Sequence, residues 1–253
     1  MSLSLLPRGR RAAALAAAAL AATLLGAVAP LHAAEEPRPD EEPRVASAGA
    51  ISAAEQRIFM APHLQGLKPG TVLRYAFTRG GSLEPGYAGA LELQLRPGAD
   101  GRCCDASAAF PEAQGPRPMP TIEGASANPV ILYFLEHDLR EMQRLTRGQA
   151  NHFRRRIRLA LAEDARSEDI RVRYQGRELA AQRLQVSPYL EDPMRNRFEQ
   201  YAAKRYEFVL ADVPGGVAQL RTLLPGQQPG TPPMLEETLT LDGAEVGAAI
   251  AKP

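Results

Sequence analysis

The amino-acid sequence predicts an α+β fold: a twisted antiparallel sheet of about eight strands packed against a central helical hairpin. Three observations predict it. Apolar and polar residues alternate through short segments bounded by Gly- and Pro-rich turns, the pattern of strands with one dry and one wet face. Helical periodicity is confined to one long stretch, 128–164, with Gly148 inside it. The order is a short helix, three strands, two helices and about five more strands, so the helices are free to cover the dry face.

The chain opens on Arg8, Arg10 and Arg11 with no acid, followed by an uncharged, almost wholly apolar run from Ala12 to Ala29 and small residues at Ala33 and Ala34. A basic head, an apolar run and a small-residue end make a secretory signal over 1–33, cleaved near Ala33, so the mature protein is expected to be exported to a periplasm with no stable membrane anchor. The run is mostly alanine and meets an acidic, Pro-rich stretch at once, which disfavours an anchoring helix. Arg10-Arg11 lacks the flanking residues of a twin-arginine signal, so the general secretory route is favoured. Residues 34–50 (AEEPRPDEEPRVASAGA) have no apolar periodicity and read as a disordered leader. A single domain is expected over 51–245, with 246–253 a tail.

Ser52-Ala-Ala-Glu55 has the form of a capping box before a short helix ending near Met60. Thr71–Thr78 is a strand with Leu73, Tyr75 and Phe77 on one face; Tyr87–Arg96 is a second, with Leu91, Leu93 and Leu95 inward. Asp100-Gly101 is a hairpin signal, and Arg102–Phe110 a weaker third strand. Asn128-Pro129 fits an N-cap with proline in the first helical position. Leu132, Leu135, Leu139, Met142 and Thr146 then recur at helical spacing until Gly148. The second helix, Gln149 to about Asp164, buries Phe153, Ile157, Ala160 and Leu161. Strands return at Ile170–Tyr174, Leu179–Val186, Lys204–Ala211, Val217–Leu224 and Leu235–Leu241, with Glu191–Tyr201 a polar segment. Arg74, Glu92, Arg171, Arg173, Arg205, Glu207 and Arg221 fall on the outer, wet face.

Charge excludes some functions. The full chain is formally +1; loss of the three signal arginines leaves the mature chain slightly negative, with no basic block, and nucleic acid is not an expected partner. Cys103 and Cys104 are adjacent and would point to opposite faces of a strand. They are read either as a buried Cys104 beside a peripheral Cys103 or as a vicinal disulfide.

No motif fixes a reaction, a metal or a cofactor. Glu136, His137 and Asp138 point about 100° apart around a helix and cannot converge on one metal; His137, His152 and His63 are expected to be solvated. Ser126 lacks the final glycine and preceding strand of a nucleophile elbow. Glu237 shares a face with Leu235 and Leu239, so it is expected to be paired with an arginine or to lie at the open end of the sheet. Arg140, Arg144, Arg147, Arg154, Arg155 and Arg158 make the hairpin basic, fit to dock an anionic head group or an envelope partner, or simply a solvated charged face.

The run Asn128 to Glu136, with Glu141-Met142 and Tyr206 to Leu210 leading into Pro214-Gly215-Gly216, resembles a group of exported bacterial proteins of uncharacterised activity, over most of residues 55–245. The order of elements is similar to that of periplasmic lipoprotein carriers of the Lol type, whose half-barrel holds acyl chains under a helical lid. That second resemblance implies a half-barrel-like sheet and transfers no binding residue. With Tyr75, Phe77, Tyr206 and Phe208 on the dry face, the expected role is binding or carrying an apolar, lipid-like ligand between sheet and helices, without catalysis. An envelope interaction module stands second and an enzyme of unrecognised type third.

Overall fold

The computed structural model describes residues 51–99, 103–228 and 230–249; the signal, the acidic leader and the Asp100-Gly101 turn lie outside them. The opening turn α1 (Ala53–Glu55) runs on as one π-helical turn to Met60. Its capping box is formed. Ser52 Oγ accepts the Glu55 N–H at 3.1 Å, and the Glu55 carboxylate accepts the Ser52 N–H at 3.0 Å. The Ser52 hydroxyl also donates to the Leu161 carbonyl at 3.0 Å, so the cap pins this turn to the second long helix.

The first meander is β1 (Val72–Gly80), β2 (Tyr87–Pro97) and β3 (Cys103–Ser107). Leu73, Tyr75, Phe77, Leu91, Leu93 and Leu95 are buried while the residues between them are exposed, as the alternation requires. The third strand is shorter than expected. Ala109–Phe110 (β4) leaves the sheet to pair with Arg117–Pro118 (β5), because Pro111 has no N–H with which to extend a ladder. Ile122 pairs with Ala106 through two hydrogen bonds of 2.9 Å and covers the edge of β3. Cys103 and Cys104 are joined to each other as a disulfide, with Cys104 buried.

The hairpin comprises α2 (Val130–Thr146) and α3 (Ala150–Glu163). Asn128 Oδ1 accepts the Val130 N–H at 3.1 Å ahead of a helical Pro129, which is the expected cap. At the far end Arg147, not Gly148, takes the left-handed position, with φ 55°. Gly148 is needed for a different reason: a Cβ there would lie 2.3 Å from the Phe153 ring. The buried stripe of α3 is the expected one. That of α2 is wider: nine of its 17 residues are buried, including His137 and Asp138.

β6 (Arg166–Tyr174), β7 (Arg177–Val186), β8 (Arg205–Ala211), β9 (Val217–Leu224) and β10 (Leu235–Leu241) follow. A further strand, β11 (Ala244–Ala249), takes in the first half of what reads as a tail, since a run rich in Ala and Gly carries no alternation to announce it. The main sheet has nine antiparallel strands in the order β11-β6-β7-β8-β9-β10-β1-β2-β3 and is not closed into a barrel. β10 and β11 stand five strand spacings apart in that order, roughly 24 Å if the sheet were flat. Only Asp242-Gly243 joins them. The Asp242 N–H bonds the Arg74 carbonyl at 2.9 Å, and the Gln175 N–H bonds the Gly243 carbonyl at 3.1 Å. The sheet therefore curls strongly, bringing the β6–β7 turn against β1 at that end.

On the outer face Arg74, Glu92, Arg171 and Arg173 are exposed, but Glu207 is buried. Its carboxylate lies 3.2 Å from Arg221 and 3.9 Å from Arg183, whose long stems cover it. Among the described residues no helix is long and apolar enough to cross a membrane, which leaves strand-built spans unaddressed.

Candidate ligand-binding groove

Tyr75, Phe77, Tyr206 and Phe208 all face the dry side, and all are at most 1% exposed. The Tyr75 hydroxyl accepts from Asn128 Nδ2 at 2.9 Å, and burial pushes its pKa up. Phe77 packs against Phe110 and the His137 ring, with ring centroids 5.2 and 5.7 Å away. Tyr206 lies against Tyr189 in an aromatic cluster that continues through Phe153 and Phe198. All four rings are closed off from solvent and packed within the buried core. Tyr189 and Phe198 belong to this core although they sit in or beside the segment that reads as polar.

A chain of buried charges fastens α2 to the sheet. Asp138, fully buried, is bridged to Lys204 and accepts the Tyr206 hydroxyl at 2.5 Å. Burial and the Asp138 charge hold that hydroxyl protonated, with its pKa raised, and Tyr189 Oη lies 2.9 Å beyond. His137, expected to be solvated, is 2% exposed and places Nε2 3.2 Å from Glu237. Glu237 is paired with an arginine, as its position on the dry face requires: Arg79 Nη1 is 2.5 Å away and Thr222 Oγ1 3.3 Å. Burial opposes ionisation of Glu237, but the His137 hydrogen bond and the charges of Lys204 and Arg79 outweigh it and pull its pKa to about 2. Arg79 reaches the surface through Glu84 and Glu141 at 2.5 and 2.7 Å. The sequence conceals these pairings because the partners meet only in the folded chain.

The remaining polar candidates do not converge. His152 Nε2 lies 2.8 Å from buried Asp192, which also takes Arg156 at 3.2 Å. His63 accepts the Asn128 N–H at Nδ1, 3.2 Å away, and burial lowers its pKa. Ser126 is exposed in the turn before the Asn128 cap. Among the described residues no three His, Cys, Asp or Glu side chains are placed to hold a metal ion.

Open apolar space lies on the other side of the hairpin. A cleft of about 650 Å³ runs between α1, the Met119–Ile122 segment, α2 and α3. Leu132, Leu135 and Leu139, the stripe read from the sequence, line its α2 side. Leu135 and Leu139 are buried, whereas Leu132 is 47% exposed; Ile51 and Met60 are 52% and 57% exposed on the α1 side. Three of the seven large apolar side chains exposed among the described residues thus gather in one groove.

The hairpin arginines divide. Arg140, Arg154 and Arg158 line the groove. Arg144 turns away to Glu84 and Glu141, at 2.6 and 2.8 Å. Arg147 and Arg155 are exposed outside it. Fold and groove together define an α+β protein with an open, curled antiparallel sheet and an apolar cleft on its helical side. No family model matches the chain, and no curated protein matches it. Among solved structures it is similar to the crystal structure of MucB, at 14% identity and a TM-score of 0.33 over 79% of this chain. It spans 59% of that structure's length, and so loose a likeness carries no argument.

Proposed function

We propose that this protein is exported to the periplasm and binds or carries an apolar, lipid-like ligand in the groove, performing no chemistry on it. The observation that supports the reading is the contrast between two spaces. Tyr75, Phe77, Tyr206 and Phe208 are shut off from solvent, and none of them lines the groove. The groove has a ligand-sized volume and leaves Ile51, Met60 and Leu132 half in water. Covering each would contribute on the order of 1 kcal/mol. Export rests on the basic, apolar and small-residue order of the first 33 residues.

Native mass spectrometry of the protein purified gently from its host tests the reading. Adducts of lipid mass are expected on the wild type and absent from Leu132→Asp. That variant should keep its melting temperature, because the side chain it replaces is half exposed. Bare polypeptide from the wild type, with no uptake of added long-chain amphiphiles, would sink the carrier reading.

A further inference from the structure

The charged lining of the groove is unbalanced. It contains Arg140, Arg154 and Arg158 against Glu55 and Glu136. The Glu55 carboxylate is already engaged by the Ser52 N–H at 3.0 Å. Glu136 is shared, 3.6 Å from Arg140 and 3.2 Å from Arg154. Among the described residues no carboxylate lies within salt-bridge distance of Arg158. Arg154 and Arg158 stand one helical turn apart on α3, a like-charge spacing that costs a helix a few tenths of a kcal/mol unless something anionic sits between them. Apolar side chains and unbalanced guanidinium groups thus share one cleft. That combination suits a molecule with a chain at one end and a negative charge at the other. Guanidinium forks bind carboxylate and phosphate oxygens in pairs, which a neutral hydroxyl head cannot reproduce.

Building on the groove reading above, we infer that its ligand is a single-chain anionic amphiphile: an acyl-type chain along Ile51, Met60 and Leu132, with a carboxylate or phosphate head held by Arg154 and Arg158 and approached by Arg140. The occupant is one molecule taken into the groove, not a bilayer on which the hairpin rests.

Two ligands of equal chain length, lauryl phosphate and 1-monolauroylglycerol, test this by calorimetric titration below their micelle concentrations. The wild type should bind the phosphate about tenfold or more tightly than the neutral ester at low salt, with the gap narrowing as salt rises. Arg158→Gln and Arg154→Gln should close most of that gap by weakening the phosphate's binding far more than the ester's. Both sites are at the surface, and circular dichroism would confirm that the variants fold. Equal binding of the two ligands by the wild type, untouched by the arginine variants, would overturn the head-group assignment and leave the groove reading standing. Binding of neither ligand would overturn both. Retention on anionic vesicles without uptake of monomeric lauryl phosphate would overturn the single-molecule occupant.

Discussion

Glu237 has no contact with water, yet it is ionised at neutral pH because His137, Lys204 and Arg79 more than offset the cost of burying it. Removing one member of such a cluster strands the others. Glu237→Gln should therefore cost about 3 kcal/mol, read as a lower urea midpoint with an unchanged slope. A shift below about 1 kcal/mol would mean that Glu84 and Glu141 alone satisfy Arg79. The same carboxylate makes stability depend on pH. Its folded pKa, about 2, lies below the ordinary carboxylate value of 4.5. Its contribution is therefore full above pH 4.5 and is lost as pH falls from there towards 2. Acid titration of Glu237→Gln should accordingly show a flatter loss of stability over that window than the wild type.

The ends of α2 show two kinds of cap. Asn128 does three things at once: its Oδ1 accepts the Val130 N–H, and its Nδ2 donates to the Gly215 carbonyl at 2.8 Å and to the Tyr75 hydroxyl. Asn128→Ala should thus cost about 2–3 kcal/mol, more than an ordinary cap, because it leaves buried acceptors unpaired. Thermal denaturation would show this, and a cost below 1 kcal/mol would mean that water replaces the amide. At the other end an arginine holds a conformation that glycine adopts freely. Arg147→Gly should raise stability by up to about 1 kcal/mol. β1, β2 and β10 were legible from sequence because one face is wet, so burial repeats with period two. The Asn128 cap was legible because capping is local. His137 and Asp138 were not, since their partners lie on β8 and β10 or just before β8. Leu132 was read into one stripe with Leu135, Leu139 and Met142 because a helix with two apolar faces, one against the sheet and one along the groove, looks the same as a helix with one broad face.

Taken whole, the molecule depends on pairings between strands far apart in sequence. Tyr75 on β1 lies opposite Leu241 on β10, and Val172 on β6 lies opposite Val246 on β11. Stopping the chain after Gly243 should expose β6 as an open edge and leave Ile170 and Val172 part-uncovered. Light scattering is expected to report concentration-dependent association of that truncation, and a stable monomer with native melting would show β11 to be dispensable. The curl has a further consequence in time. A chain delivered to its folding compartment from its N-terminus carries β1–β3 as a lone meander, and β1 must wait for a neighbour made almost last. Helices and hairpins can form along the way, but the sheet cannot be assembled until β10 has arrived. On the export proposed above, the sheet stays unfinished during delivery, a useful delay for a polypeptide threaded through a narrow channel before it folds.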